Sequence, residues 1–177
     1  MRSDQAMGSP EEMAVAYRAE MERLLDVVDR IPADLLAQPI HGDWTVKEVL
    51  VHLAGWDRAV AASADDVLAG RQAGLLAMRL ADINEEVVDD QRGVPLDRVR
   101  RDLMEAHLGI LERLAAIPPD RWHDGVPGLT WPDGSPMTPA TVFAYRYRGL
   151  THYGGHAEEI EAWLRERGAN PPRRTTT

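Results

Sequence analysis

The stretch "DWTVKEVLVHLAGWDRAVAASADDVLAG", residues 43–70, decides the fold. Thr45 is followed three residues later by Glu48, a spacing typical of a helix N-terminus, because each side chain can bond to the backbone N–H of the other residue. Gly70 is suited to end such a helix. Between these limits apolar residues recur every three or four positions, as they do on one face of an α-helix: Val46, Val49, Leu53, Trp56 and Val60. The pattern predicts a long amphipathic helix.

The same signals predict a helix on one side of this stretch and two on the other. "SPEEM", residues 9–13, begins the first helix, which runs over about residues 10–30. Pro95 begins the third helix, and Pro118 and Pro119 end it. Thr138 caps a fourth helix that runs without interruption to Gly168. The inward stripe of the fourth helix is Val142, Tyr145, Gly149, His152, His156, Ile160 and Trp163.

Four amphipathic helices without a convincing strand predict an all-α fold, a four-helix bundle. Residues 71–94 form a long link, which leaves room for an overhand crossover between helices two and three and for a short helix at "DINEEVVDD". Residues 118–137 are predicted to be an ordered loop with a tight turn at 132–134. We expect a single domain over residues 1–170 and a disordered tail over 171–177.

Charge and composition exclude several classes of protein. The formal net charge is −9, with 29 acidic and 20 basic residues, so the average field repels nucleic acid and anionic membrane surfaces. The chain has no cysteine, which leaves His, Asp and Glu as the strong metal ligands. The N-terminus lacks an apolar signal segment, and no apolar run approaches the ~20 residues of a membrane span. We therefore expect a cytoplasmic protein.

Three of the six histidines are candidates for a metal site. His152 and His156 are four residues apart and share one face of the fourth helix, while His52 lies at the edge of the stripe on the second helix. If the two helices are neighbours, three imidazoles converge and can hold a divalent ion with open coordination positions, as catalytic metal sites do. Helix geometry alone leaves an alternative open, in which these three are hydrogen-bonded core histidines or surface histidines.

Two glutamates lie beside these histidines. Glu48 is one turn before His52 and could accept a hydrogen bond from it, although capping is the competing role. Glu159, three residues after His156, could bond to that imidazole or act as a general base, or it could be a solvated carboxylate at the helix edge.

Other residues could line a pocket. His107 is on the inward side of the third helix, where it could be a fourth ligand or a proton shuttle, although a hydrogen-bonded core histidine is the favoured interpretation. Trp56, Tyr145 and Arg148 lie one or two turns from the three histidines. A carboxylate-bridged di-iron centre is excluded, because the chain has no Glu-x-x-His pair.

Three stretches together resemble the DinB superfamily, and more narrowly its DfsB-like (ClbS/DfsB) four-helix bundles. They are "DWTVKEVLVHLAGWDRA", "DINEEVVDDQRGVPLDRVRRDLMEAHLGILERLAAIPPDRW" and "HYGGHAEEIEAWL". The resemblance spans about residues 10–167 and implies a bundle with an overhand crossover. It also implies a divalent metal held by one His of the second helix and two of the fourth, which match His52, His152 and His156.

The resemblance implies that the protein is a metal-dependent enzyme that uses zinc, nickel or iron. The substrate would be an electrophilic small molecule, attacked in hydrolysis or in transfer of a low-molecular-weight thiol, with detoxification or self-resistance as the role. Mycothiol-dependent isomerases are also similar in the second helix, but their first ligand on the fourth helix is Glu where this chain has His152. This difference weakens a transfer of isomerase activity. The alternatives are a non-catalytic protein that binds or sequesters a small molecule, and a structural bundle that forms a homodimer.

Overall fold

The computed structural model describes residues 8–77, 88, 93–144, 146–147 and 150–169. Its helices are α1 (Pro10–Asp29), α2 (Val46–Leu68), α3 (Leu96–Ala116), α4 (Pro139–Phe143) and α5 (His152–Glu166). Short 3-10 turns occupy Gly74–Leu76 and Pro119–Arg121. Two-residue strands, β1 (Arg146–Tyr147) and β2 (Leu150–Thr151), pair antiparallel between α4 and α5. Within the described residues, no helix combines the length and the apolar character that crossing a bilayer requires.

The helices begin where the capping signals predicted. The Ser9 hydroxyl accepts the Glu12 N–H at 3.1 Å at the start of α1. Thr45 and Glu48 form a complete capping box at the start of α2, in which the Glu48 carboxylate accepts the Thr45 N–H at 3.0 Å. Thr138 caps α4 with Pro139 as the first helical residue. These bonds satisfy N–H groups that have no partner within the helix.

The core lies between the long helices. Helix α2 packs along α3, α1 packs along α5, and α2 also contacts α5. The apolar stripe predicted for α2 is buried, and so are apolar residues at helical spacing on its neighbours: Met13, Tyr17, Met21, Leu24 and Val28 on α1, and Val99, Leu103, Ala106, Ile110 and Leu114 on α3. The predicted all-α bundle is therefore confirmed.

The long link between α2 and α3 is only partly described. Val88 is buried in the core, whereas the rest of the predicted short helix "DINEEVVDD" lies outside the described residues. The tail predicted at residues 171–177 lies outside them as well. The tight turn at 132–134 is present: the Gly134 N–H donates to the Trp131 carbonyl at 2.9 Å, and Gly134 has a φ of 83°.

The prediction of one uninterrupted fourth helix is wrong. Helix α4 ends at Phe143, and a new helix, α5, begins at His152 after the paired strands. Aromatic and β-branched residues such as Tyr147 and Thr151 favour extended backbone, and a glycine at 149 lowers helix propensity. His152 therefore stands at the very start of a helix instead of in the middle of one.

A buried polar cluster joins the long helices. The Tyr153 hydroxyl at the start of α5 donates to the Asp57 carboxylate of α2 at 2.5 Å. The same oxygen is 3.1 Å from Nδ1 of His107 on α3, and the Tyr153 ring meets the Tyr17 ring of α1 edge-on at 5.7 Å. Because the phenol has one hydrogen and gives it to Asp57, its oxygen accepts the Nδ1–H of His107.

Burial shifts the pKa values of this cluster in opposite directions. Desolvation raises the pKa of the Asp57 carboxyl to about 7, although the hydrogen bond from Tyr153 favours the charged form. Desolvation lowers the pKa of His107 to about 4, and the charge of Arg18 lowers it further. His107 is therefore neutral at pH 7, and Asp57 titrates there.

These shifts predict how Asp57 affects stability. An unfolded Asp loses its proton near pH 4, whereas folded Asp57 keeps it until about pH 7, so raising the pH across this range favours the unfolded state. Between pH 4 and pH 7 we expect the free energy of unfolding of Asp57→Asn to rise relative to that of wild type. The rise is about 1.4 kcal/mol for each unit by which the pKa of folded Asp57 exceeds that of an unfolded Asp. Urea unfolding at several pH values measures this difference.

Asp65→Asn, which changes an exposed aspartate on the same helix, is the control. The titration of His107 adds the same pH dependence to the free energy of unfolding of wild type and of Asp57→Asn. It therefore cancels in the difference between them. Parallel pH profiles for Asp57→Asn and wild type would contradict the assignment.

Candidate metal centre

Three imidazoles from α2 and α5 meet inside the bundle. Each of His52, His152 and His156 offers a ring nitrogen, and these nitrogens all lie within 4.8 Å of one another. The Nε2 atoms of His52 and His152 are 3.0 Å apart. The ring centroids are 4.9 Å apart for His52 and His152, 5.3 Å for His52 and His156, and 5.0 Å for His152 and His156. The convergence expected from the sequence is present.

The helices explain this geometry. His52 is buried in the second turn of α2, one turn after Glu48 and one turn before Trp56. His152 is the first residue of α5, and His156 follows one turn later on the same face. His152 and His156 therefore share one helix face as predicted, although the predicted fourth helix is broken before them, because both belong to α5.

The buried surroundings of His152 favour its neutral form. Burial lowers the pKa of His152 well below its usual value, and the nearby His156 and His52 lower it further. Three positive charges at this distance would repel one another strongly in a medium of low dielectric constant. A neutral ring with a free nitrogen lone pair is the form that binds a metal.

Glu159 is placed to orient His156. Its carboxylate lies 3.1 Å from Nδ1 of His156 and 3.7 Å from Nδ1 of His41, and only 13% of its side chain is exposed. A carboxylate that accepts the Nδ1–H of an imidazole fixes the tautomer and leaves Nε2 as the donor to a metal. Of the three roles predicted for Glu159, the structure therefore shows one, the contact with the His156 imidazole.

Two indoles form walls beside the histidines. The Trp56 ring is 5.5 Å from that of His152 and 6.1 Å from that of His52, and the Trp44 ring is 5.2 Å from that of His52. Trp44 ends a turn in which Gly42 has a φ of 57°, a conformation that favours glycine. The turn places His41 toward Glu159 and Trp44 against His52.

Glu48 and His107, which the sequence placed near the site, have other contacts. Glu48 uses its carboxylate in the cap with Thr45 and in an ion pair with Lys47 at 3.4 Å. The cap hydrogen bonds hold the pKa of the Glu48 carboxyl below its usual value, against an opposing effect of burial. His107 is the hydrogen-bonded core histidine that the sequence favoured. Tyr145 and Arg148 lie outside the residues whose side chains are described.

Sequence reasoning missed Trp44, Asp57 and Tyr153. Asp57 is four residues after Leu53, and Tyr153 is four before Ala157, so helical spacing could have placed both on inward faces. Trp44 could not have been placed in this way, because it precedes α2 and reaches His52 through the conformation of a turn.

The three histidines fit a divalent transition metal. Neutral imidazole nitrogens suit zinc, nickel, copper and iron, whereas magnesium and calcium prefer oxygen ligands. The fit rests on three buried or half-buried donors from two rigid helices, one of them oriented by a carboxylate. Three protein ligands leave further coordination positions for a small molecule, as in catalytic zinc sites.

Comparisons with known proteins agree with the fold. A crystal structure of an uncharacterised protein from Escherichia coli UTI89 superposes with a TM-score of 0.66, covering 90% of this chain and 95% of that one at 13% sequence identity. No protein of curated function is significantly similar.

A family model identifies the chain more specifically. The model of the mycothiol maleylpyruvate isomerase N-terminal domain matches residues 17–161, which include most of α1, all of α2 and α3, and the three histidines. This is a DinB-like helical family whose members bind metals, so the match supports the broader of the two resemblances seen in the sequence. The chain belongs to the mycothiol maleylpyruvate isomerase N-terminal domain family.

Proposed function

We propose that this protein is a metal-dependent enzyme in which His52, His152 and His156 hold one divalent ion. The observation that carries the proposal is the meeting of three imidazole nitrogens within 4.8 Å, from two helices that are 100 residues apart along the chain at His52 and His152. Buried polar groups reduce stability unless they are well partnered, so three such side chains in a core favour a functional role.

A bound ion would supply Lewis acidity, which lowers the pKa of a thiol or water and polarises a carbonyl. The protein's own residues supply position and surroundings. Glu159 holds the proton on Nδ1 of His156, and the two indoles of Trp44 and Trp56 restrict water and offer an apolar wall to a substrate.

A low-molecular-weight thiol is the co-substrate that the family supports, since the family is named for mycothiol maleylpyruvate isomerase. The reaction is an addition to an electrophilic carbon-carbon double bond. The sulfur forms a bond to one carbon, and the thiol proton ends on the neighbouring carbon, so no further co-reactant is needed. Isomerisation follows if, after rotation about the resulting carbon–carbon single bond, the neighbouring carbon loses a proton and the sulfur leaves, which restores the double bond and releases the thiol.

The resemblance to the DfsB-like bundles supports a second route at the same centre, hydrolysis of a reactive small molecule, with self-resistance or detoxification as the role. His152, in place of the Glu of the isomerases, makes the ligand set neutral and so weakens the case for isomerisation. Sequestration without catalysis and a structural homodimer are the competing hypotheses.

The test uses full-length protein loaded with zinc, nickel or iron(II). Mycothiol is offered with maleylpyruvate and, separately, with a fluorogenic bimane electrophile, and loss of thiol and formation of product are followed. Metal-dependent turnover with thiol supports thiol transfer or isomerisation, whereas loss of the electrophile without thiol identifies hydrolysis. No turnover on any substrate, with the electrophile bound and released intact, would favour sequestration.

Removal of each ligand is predicted to remove the metal. We expect His52→Ala, His152→Ala and His156→Ala each to lose most bound ion while keeping the helical circular-dichroism spectrum, because two imidazoles bind far more weakly than three. Elemental analysis of untagged protein gives the stoichiometry. His123→Ala, which changes an exposed histidine in a loop, is the control and should keep the ion. One full equivalent retained in all three variants would refute the ligand set.

Glu159→Gln is predicted to lower metal affinity about tenfold, because an amide is a weaker acceptor for the His156 Nδ1–H than a carboxylate. Competition with a chelator measures the affinity. The matched control is Glu158→Gln, since Glu158 is adjacent in sequence but half exposed and 3.9 Å from Arg23 at the surface. Equal affinities in the two variants would remove Glu159 from the site.

A further inference from the structure

The start of α5 needs to be fixed in space if His152 is to meet His52. His152 is the first residue of that helix, and the first residues of a helix have N–H groups without partners in the helix. Helix ends fray more readily than helix centres. His52 stands instead in the second turn of α2, whose start is fixed by the capping box of Thr45 and Glu48. The position of His152 therefore depends on the contacts that the first turn of α5 makes.

Tyr153, the next residue, makes contacts that fix this helix start. It is 1% exposed, and its side chain reaches each of the other three long helices. Its hydroxyl donates to Asp57 on α2 and lies 3.1 Å from His107 Nδ1 on α3, and its ring meets Tyr17 of α1 edge-on. One side chain therefore locates the first turn of α5 against the whole bundle.

The bond to Asp57 connects the same two helices that the histidines connect. Asp57 follows His52 by five residues on α2, and Tyr153 follows His152 by one on α5. The 2.5 Å hydrogen bond and the 3.0 Å contact between the two imidazoles therefore both join α2 to the first turn of α5. A buried hydrogen bond to a carboxylate is stronger and more directional than one between neutral groups.

We infer that Tyr153, held by Asp57 and His107, is a positioning residue that sets the first turn of α5 and thereby the place of His152 in the three-histidine site. This inference rests on the proposed metal site for its functional meaning. The hydroxyl group itself acts through the helix and touches neither metal nor substrate.

Tyr17 provides a matched control. It is also a buried tyrosine, and its hydroxyl donates to the Phe143 carbonyl at 3.2 Å. Tyr153→Phe and Tyr17→Phe thus each remove one buried hydroxyl and keep the ring. Both changes should lower global stability, but only Tyr153→Phe frees the start of α5 from α2 and α3.

The experiment measures two quantities in full-length protein. One is the dissociation constant of Co²⁺ with its visible absorption spectrum, which reports ligand geometry. The other is hydrogen exchange of the backbone amides of residues 154–158 in metal-free protein, which reports the order of the first turns of α5. Asp57→Asn keeps an oxygen that can accept the phenol hydrogen and serves as the conservative variant.

We expect Tyr153→Phe to weaken Co²⁺ binding by about 10- to 100-fold, to alter the spectrum and to speed exchange at residues 154–158. Tyr17→Phe should stay close to wild type in both measurements, and Asp57→Asn, which keeps the hydrogen bond in a weaker form, should lie between wild type and Tyr153→Phe. Tyr153→Phe with wild-type affinity, spectrum and exchange would overturn the inference, as would equal effects in Tyr17→Phe. If wild type binds no metal but the exchange pattern is as expected, the proposed function fails and the positioning of α5 stands.

Discussion

The packing of α5 against α2 is the constraint on which the site depends. His52 is 100 residues from His152, so their 3.0 Å approach exists only when the two helices are in register. Apolar stripes bring helices together, but they tolerate small rotations and shifts. The directional bonds of Tyr153 to Asp57 and His107, and of Glu159 to His156, limit that freedom where the imidazoles meet.

The polar groups in this core lower the stability of the bundle, which favours a functional role for them. His52, His156, His107 and the Asp57 carboxyl are buried and His152 is half-buried, and polar groups in such positions lower stability unless they are well partnered. The shifted pKa values of Asp57 and His107 have the same origin, because burial disfavours the charged form of each. Departures of this kind from a purely apolar core cluster at functional sites. Here they cluster around the pairing of α2 and α5.

The sequence predicted the bundle because its signals were local and redundant. Caps at Ser9, Thr45 and Thr138 and the stripes of α1, α2 and α3 are short-range patterns, and the structure confirms them. The break before His152 was missed, because a periodic stripe can cross a break without changing its spacing. Trp44 was missed since its contact with His52 depends on the conformation of a turn, and the pairing of Asp57 with Tyr153 depends on tertiary packing.

The central claim is that one ion is shared by three imidazoles, and X-ray absorption spectroscopy of the zinc-loaded full-length protein tests it most directly. Multiple scattering from imidazole rings counts the histidine ligands of the bound ion. Three histidine ligands are expected, with zinc–nitrogen bonds of about 2.0–2.1 Å. A bound zinc with one imidazole or with oxygen ligands alone would contradict it, as would a protein that binds no zinc at all.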